Sequence, residues 1–323
     1  MSETKKKKGF FATIFSVIGI IVLVVVVLIV VFFVKAAFTP AVEDGYYKNI
    51  KSDKPLEQKY IAKGEYEVSY YEQKTDNKDW KKYEIWYPSE LENSNGKTYP
   101  LVVMVNGTGV KASKYKPVFD HLASWGFIVI GNEDENAGSG ASSSASLDYM
   151  LTQNADITSK FYGKIDVDNI GIGGHSQGGL GTINAVTAQD NGNRYKVMYA
   201  ASSPTYQISV DILKVPFDIS TVNIPCFLTA GTKQSDAGNG KDSGICPLVE
   251  LQEKYNNLSA DVSKVMARVV NAEHGDVLPR ADGYMTAWFM YWLQNDTEAG
   301  GIFFGENAEI LNNANWQDVE KNI

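Results

Sequence analysis

A serine framed by glycines two places to either side, in Gly174-His175-Ser176-Gln177-Gly178, constrains the fold of this chain more than any other feature. The pattern is that of a tight strand-to-helix turn with the serine at its apex. Such a turn strains the serine backbone and lifts its hydroxyl above the sheet. Only residues without a Cβ pack against so sharp a corner, which is why the flanking positions are glycine. The neighbourhood agrees. Asn169-Ile170-Gly171-Ile172 reads as a short buried strand running into the turn, and Leu180, Ile183, Val186 and Thr187 recur at helical spacing after it. A glycine-rich phosphate loop shares the composition but does not need this strand-serine-helix order.

On an elbow of this kind the acid and then the histidine follow the serine along the chain. The chain has three histidines, and only His274 lies beyond Ser176. The run Met266 to Val270 is strand-like, His274-Gly275-Asp276 follows it in a loop, and a helix is expected over 281–294. His274 is therefore the candidate base. His175 sits inside the elbow, too constrained to approach its neighbour's oxygen, and His121 falls on an earlier helix; both read as structural.

The acid must come between Ser176 and His274, just beyond a strand. Ile224 to Gly231 is a short apolar run, and the loop after it carries Asp236 and Asp242. A carboxylate there would accept the His274 ring proton, fix its tautomer and stabilise the imidazolium. Asp236, five positions beyond Gly231, is the preferred candidate and Asp242 the other. The two cysteines, Cys226 and Cys246, bracket this loop, and a bridge between them would close 21 residues. Against a bridge, Cys226 starts an apparently buried strand far from the catalytic end.

An acyl-transfer serine also needs donors for an oxyanion. One is the N–H of Gln177, the residue after the nucleophile. The other comes from a loop after an earlier strand. Pro100 to Val105 is the strongest strand signal in the chain, and Asn106-Gly107-Thr108-Gly109 follows it, so Thr108 supplies the second N–H.

The remaining pattern alternates. Two antiparallel strands are expected first, over Glu65 to Glu72 and Lys82 to Tyr87. Strands over 101–106, 127–131, 169–173, 196–201, 224–230 and 266–270 then interleave with helices over 114–125, 177–189, 246–257 and 281–294. That order predicts an α/β fold, a mainly parallel sheet with helices on both faces. The stretch Gly138 to Ser146, small and polar, reads as a flexible loop or the lead-in to a helix.

Four blocks now carry a resemblance: Val103-Met104-Val105-Asn106-Gly107-Thr108-Gly109, Leu122 to Ile130, Gly174 to Gly179, and His274-Gly275-Asp276-Val277-Leu278. From about Tyr60 onward the chain resembles the α/β-hydrolase superfamily. Within it, the similarity is to the group of plant chlorophyllases, bacterial cutinase-like polyester hydrolases and platelet-activating-factor acetylhydrolases. The resemblance implies an α/β-hydrolase fold and a serine carboxylic-ester hydrolase without metal or cofactor. Two departures stand out. Thr108 occupies the place where the polyester hydrolases carry an aromatic residue, and Ser203-Pro204-Thr205 stands where they show Pro-Trp. Ser176 sets the chain apart from the dienelactone hydrolases, which use cysteine, and the dehalogenases, which use aspartate.

The N-terminus bears on location. Lys5 to Lys8 are four consecutive lysines, and Phe10 to Val34 is a run of 25 residues without a charge. At 1.5 Å per residue a helix of that length reaches roughly 37 Å, enough to span a hydrocarbon core of about 30 Å. The run is long for a cleaved signal peptide, and Lys35-Ala36-Ala37-Phe38 is a poor cleavage site. The expected organisation is a cytoplasmic basic tail over 1–9, a transmembrane signal anchor over 10–34, an extracytoplasmic tether over 35–60 and a catalytic domain over 61–323. The lysines stay inside, so the catalytic domain lies outside the cell membrane. Residues 1–35 carry +4 of a total of −8, leaving −12 beyond them. So acidic a domain suits neither nucleic acid nor anionic lipid; its expected partner, apart from the bilayer at 10–34, is a small-molecule or lipid-like ester. Two alternatives share these residues: a serine peptidase or amidase on the same triad, and a non-catalytic binding module on a hydrolase scaffold.

Overall fold

The computed structural model describes residues 39–239 and 243–323. The expected basic tail, the expected membrane span over 10–34, and Asp242 lie outside the described residues. No helix among the described residues is long and apolar enough to cross a membrane.

The strand signals assemble into one nine-stranded sheet. In chain order its strands are β1 (Val68–Lys74), β2 (Lys82–Pro88), β3 (Tyr99–Val105), β4 (Ile128–Asn132), β5 (Ile165–His175), β6 (Val197–Ala201), β7 (Cys226–Gly231), β8 (Lys264–Val269) and β9 (Trp316–Lys321). In space the order is β1-β2-β4-β3-β5-β6-β7-β8-β9. From β4 to β8 every pairing is parallel, while β1, β2 and β9 run antiparallel at the edges. Every residue of β3 is buried, as a parallel strand covered on both faces requires. Its side chains alternate between two cores: Val102 and Met104 join one cluster, Leu101, Val103 and Val105 the other.

The helices divide between those clusters. In chain order they are α1 (Pro55–Ile61), α2 (Lys116–Ser124), α3 (Ala141–Ala155), α4 (Gln177–Thr187), α5 (Leu248–Asn257) and α6 (Val277–Gln294). Tyr60 of α1, Phe119 of α2 and Trp288 and Phe289 of α6 pack on one face. Met150 of α3, Ile183 of α4 and Leu251 of α5 cover the other. The mainly parallel α/β sheet with both faces covered is thus as expected.

Three elements differ from the sequence reading. The stretch 138–146 is the helix lead-in rather than the loop, and it runs into the fifteen-residue α3, which is not among the expected helices. Its apolar signal is faint because serines face inward there: Ser142, Ser143 and Ser146 are buried, and Asn132 donates from Nδ2 to Ser142 O and Ser146 Oγ, both at 2.9 Å. Strand β9 was not expected; Asp and Glu interrupt its hydrophobic alternation, as an edge strand tolerates. The third difference is the tether. From Ala41 onward the chain belongs to the compact unit that runs to Ile323. Val42, Tyr46, Tyr60 and Ile61 are buried. Ala41 N–H donates to Lys114 O at 2.9 Å, and the Tyr46 hydroxyl donates to Asp282 Oδ2. The same Asp282 oxygen lies 2.7 Å from His121 Nδ1, with both side chains fully buried. Burial alone would push His121 down, but the Asp282 charge and hydrogen bonds to it and to the Ala62 and Ile61 carbonyls raise it. His121 is structural, as expected, and it anchors residues that sequence alone assigned to a linker.

Candidate active site

The carboxyl ends of parallel strands and the loops beyond them supply the chemistry, as open α/β sheets generally do. Strand β5 runs into Ser176, the residue that caps α4, with φ 60° and ψ −128°. A residue with a side chain adopts this left-handed backbone only where its surroundings enforce it. Here they do. A Cβ on Gly174 would stand 2.4 Å from Gly178 O, and one on Gly178 would stand 2.1 Å from Val105 O. The turn closes on bare backbone, and Ser176 N–H donates to Ala201 O of β6 at 2.9 Å.

The loop after β7 forms a short helical turn, Gln234–Ala237, that buries Asp236 completely. Its Oδ1 is 2.7 Å from His274 Nδ1. Its Oδ2 accepts from Ser202 Oγ at 2.5 Å and from Gly231 N–H at 2.6 Å. Burial pushes this carboxyl up, but the His274 ring, the Ser202 hydroxyl and the Gly231 N–H outweigh it and hold it below the ordinary carboxylate range. An ionised acceptor fixes the His274 proton on Nδ1 and leaves Nε2 bare. The His274 backbone is held in turn: its N–H donates to Ser235 Oγ at 2.7 Å, and the Ser235 hydroxyl and N–H donate to Glu273.

His175 supports the loop from below. Its Nε2 lies 2.7 Å from the His274 carbonyl oxygen, which only accepts, so this nitrogen carries the proton. Burial, and then the neighbouring His274 ring, push His175 down to about 4 from 6.5. The unfolded chain therefore binds this proton first as pH falls. The stability contributed by neutral His175 is complete above 6.5 and drains away down to about 4. Denaturant unfolding at pH 7.5 and 4.5 checks this: wild type should lose more stability over that interval than His175→Gln. Equal losses would show that the ring does not titrate in this way.

The N–H groups of Thr108 and Gln177 have no acceptor among the described residues. Thr108 is exposed, whereas Gly107 before it is buried and gives its N–H to the hydroxyl of Tyr115. Gln177 opens α4, whose dipole adds positive potential at the same point. Ser176, His274, Thr108 and Tyr115 line one cavity of about 200 Å³, walled on its apolar side by Val42, Val110 and Leu278. No group of three or more His, Cys, Asp or Glu among the described residues is placed to hold a metal.

Of the two acids the sequence offers, Asp236 lies against His274, and His274 lines one cavity with Ser176, while Asp242 lies outside the described residues. Cys226 and Cys246 are free and buried. What the sequence did not reveal is the second tier: Ser202, Gly231, Ser235 and Glu273. Ser202 follows directly on β6 and takes φ 46°, an unusual angle for serine, but nothing in a sequence marks that angle. Ala41 and Val42 at the cleft were missed too, because a polar, proline-bearing stretch carries no packing signal.

Residues 58–318 match the model of a family described as PET hydrolase-like. Cutinase 2 of Thermobifida cellulosilytica is 26% identical over 226 residues, which take in 66% of this chain and 74% of that protein. Cutinase cut1 of Thermobifida fusca is likewise 26% identical, over 66% of this chain and 60% of its own length. Cutinase est1 of Thermobifida alba is 23% identical, over 66% of this chain and 65% of its own. With the family region spanning nearly the whole described sheet, the chain belongs to the PET hydrolase-like family and is a serine carboxylic-ester hydrolase.

Proposed function

We propose that the chain cleaves small or lipid-like carboxylic esters through an acyl-Ser176 intermediate, outside the membrane in which residues 10–34 anchor it. The observation that carries the chemistry is the 2.7 Å contact between His274 Nδ1 and a buried Asp236, with His274 and Ser176 lining one cavity. His274 Nε2 takes the Ser176 proton as Oγ attacks the ester carbonyl. The Gln177 and Thr108 N–H groups bind the oxyanion. Collapse breaks the ester bond, and His274 returns the proton to the departing alkoxide. Water then enters, gives its proton to His274 and attacks the acyl carbon, releasing the acid and restoring Ser176. Thr108 and Ser203-Pro204-Thr205 present no ring to clamp an aromatic acyl group, which favours aliphatic esters.

The location rests on the uncharged run over 10–34 and the lysines before it. One experiment tests both halves. A membrane-impermeant fluorophosphonate probe should label intact cells, with the adduct mapped to Ser176. Labelling only after lysis would put the domain inside. An adduct on another residue, or none even after lysis, would reject Ser176 as nucleophile.

A further inference from the structure

The catalytic cavity, at about 200 Å³, is smaller than the roughly 300–1,000 Å³ of a typical small-molecule site. It does not stand alone. A second cavity of about 580 Å³ shares Ala41, Val42 and Gly275 with it and extends past Ile50 and Pro279 to the charged Lys51, Asp276 and Arg280. Ala41 and Val42 belong to both walls, Glu43, Tyr46, Asn49, Ile50 and Lys51 to the second alone, and all precede the family region, which begins at residue 58. They are fixed in place: Tyr46 is buried and reaches the Asp282–His121 pair, and Ala41 N–H is bonded to Lys114 O.

We propose that residues 41–51 form a strap across the catalytic cleft and build behind it a subsite for the far end of an elongated aliphatic ester. The reading rests on the acyl-Ser176 chemistry above and adds to it where the rest of the substrate goes. The reacting carbonyl sits in the smaller cavity. One arm of the ester passes Val42, which is 4% exposed and faces both spaces, and continues between Ile50 and the first turn of α6. Specificity for length then resides in a segment that the family-matched region does not contain.

The test uses the full chain and two substrate series, p-nitrophenyl decanoate against acetate for the acyl arm, and decyl against ethyl acetate for the alcohol arm. The readout is the long-to-short ratio of kcat/KM, in which any loss of folded protein cancels. Ile50→Trp narrows the second cavity beside the passage and should lower that ratio about tenfold or more in one series, the scale of methylene discrimination in an apolar pocket. Val42→Ala widens the passage and should raise it. Calorimetric binding of decanoate and of decanol to wild type and Ile50→Trp gives the same comparison without turnover, so failure of the chemistry and failure of the subsite are distinguishable. Ratios and affinities unmoved by both substitutions in both series would overturn the strap.

Discussion

Ser176→Ala should lower kcat toward p-nitrophenyl acetate by about 10⁶-fold, the scale at which loss of a triad nucleophile disables a serine hydrolase. Almost none of that loss should come from the fold. Alanine keeps the Cβ that the elbow already accommodates at φ 60°, and the backbone N–H bond to Ala201 O remains. The Oγ makes no hydrogen bond to another described residue that its removal would break. Thermal unfolding should therefore shift by no more than about 0.5 kcal/mol, as for substitutions that disturb no packing. Residual turnover well above the uncatalysed rate is expected, because the Gln177 and Thr108 N–H groups still polarise the carbonyl. Stopped-assay kinetics on protein shown to be folded would check it. A variant retaining more than about 1% of activity would move the nucleophile elsewhere.

Asp236→Asn should cost about 10⁴-fold in kcat, for a reason that the hydrogen bonds make specific. One carboxylate oxygen accepts from Gly231 N–H and Ser202 Oγ, and the other faces His274 Nδ1. An asparagine has one oxygen and one NH₂. The Gly231 N–H cannot turn away, so the amide oxygen stays with it and the NH₂ points at His274. That donor forces the proton onto Nε2, leaving no lone pair to receive the Ser176 proton. In barrier terms four decades are about 5.4 kcal/mol, at about 1.36 per decade. Asp242→Asn, by contrast, should cost less than about tenfold, because Asp236 already holds the place beside His274 Nδ1. The comparison is read from kcat at saturating ester, with unchanged thermal unfolding as the control. A near-normal Asp236→Asn beside a crippled Asp242→Asn would transfer the acid to 242.

Much of this site was legible because its chemistry leaves few residues eligible. One histidine follows Ser176, and the loop directly after the Ile224–Gly231 run offers Asp236 and Asp242. The parallel sheet was legible for a similar reason: Leu101 to Val105 and Phe227 to Ala230 are buried on both faces and so read as continuous apolar runs. Failures came where burial is achieved with polar atoms. Ser142, Ser143 and Ser146 take up inward positions of α3, where Ser146 Oγ accepts from Asn132 and donates to the Ser142 carbonyl, so its apolar stripe is thin. The segment after residue 40 is held by Tyr46, Asp282 and His121, three groups whose partnership spans 236 residues and is invisible to any local window. Likewise Glu57, an ordinary surface residue by type, is buried and accepts from Asn313, Asn315 and Trp316.

The parallel order of the strands also sets when this chain acquires its reactivity. The proposed nucleophile, Ser176, stands at the end of β5, the proposed acid, Asp236, beyond β7 and the proposed base, His274, beyond β8. A chain growing from its N-terminus has the elbow serine in hand long before anything can deprotonate it. Parallel pairings of this kind also close slowly, because each waits on a long crossover. The three residues proposed to cleave the ester can therefore meet only once synthesis has passed His274 and β5, β6, β7 and β8 have paired.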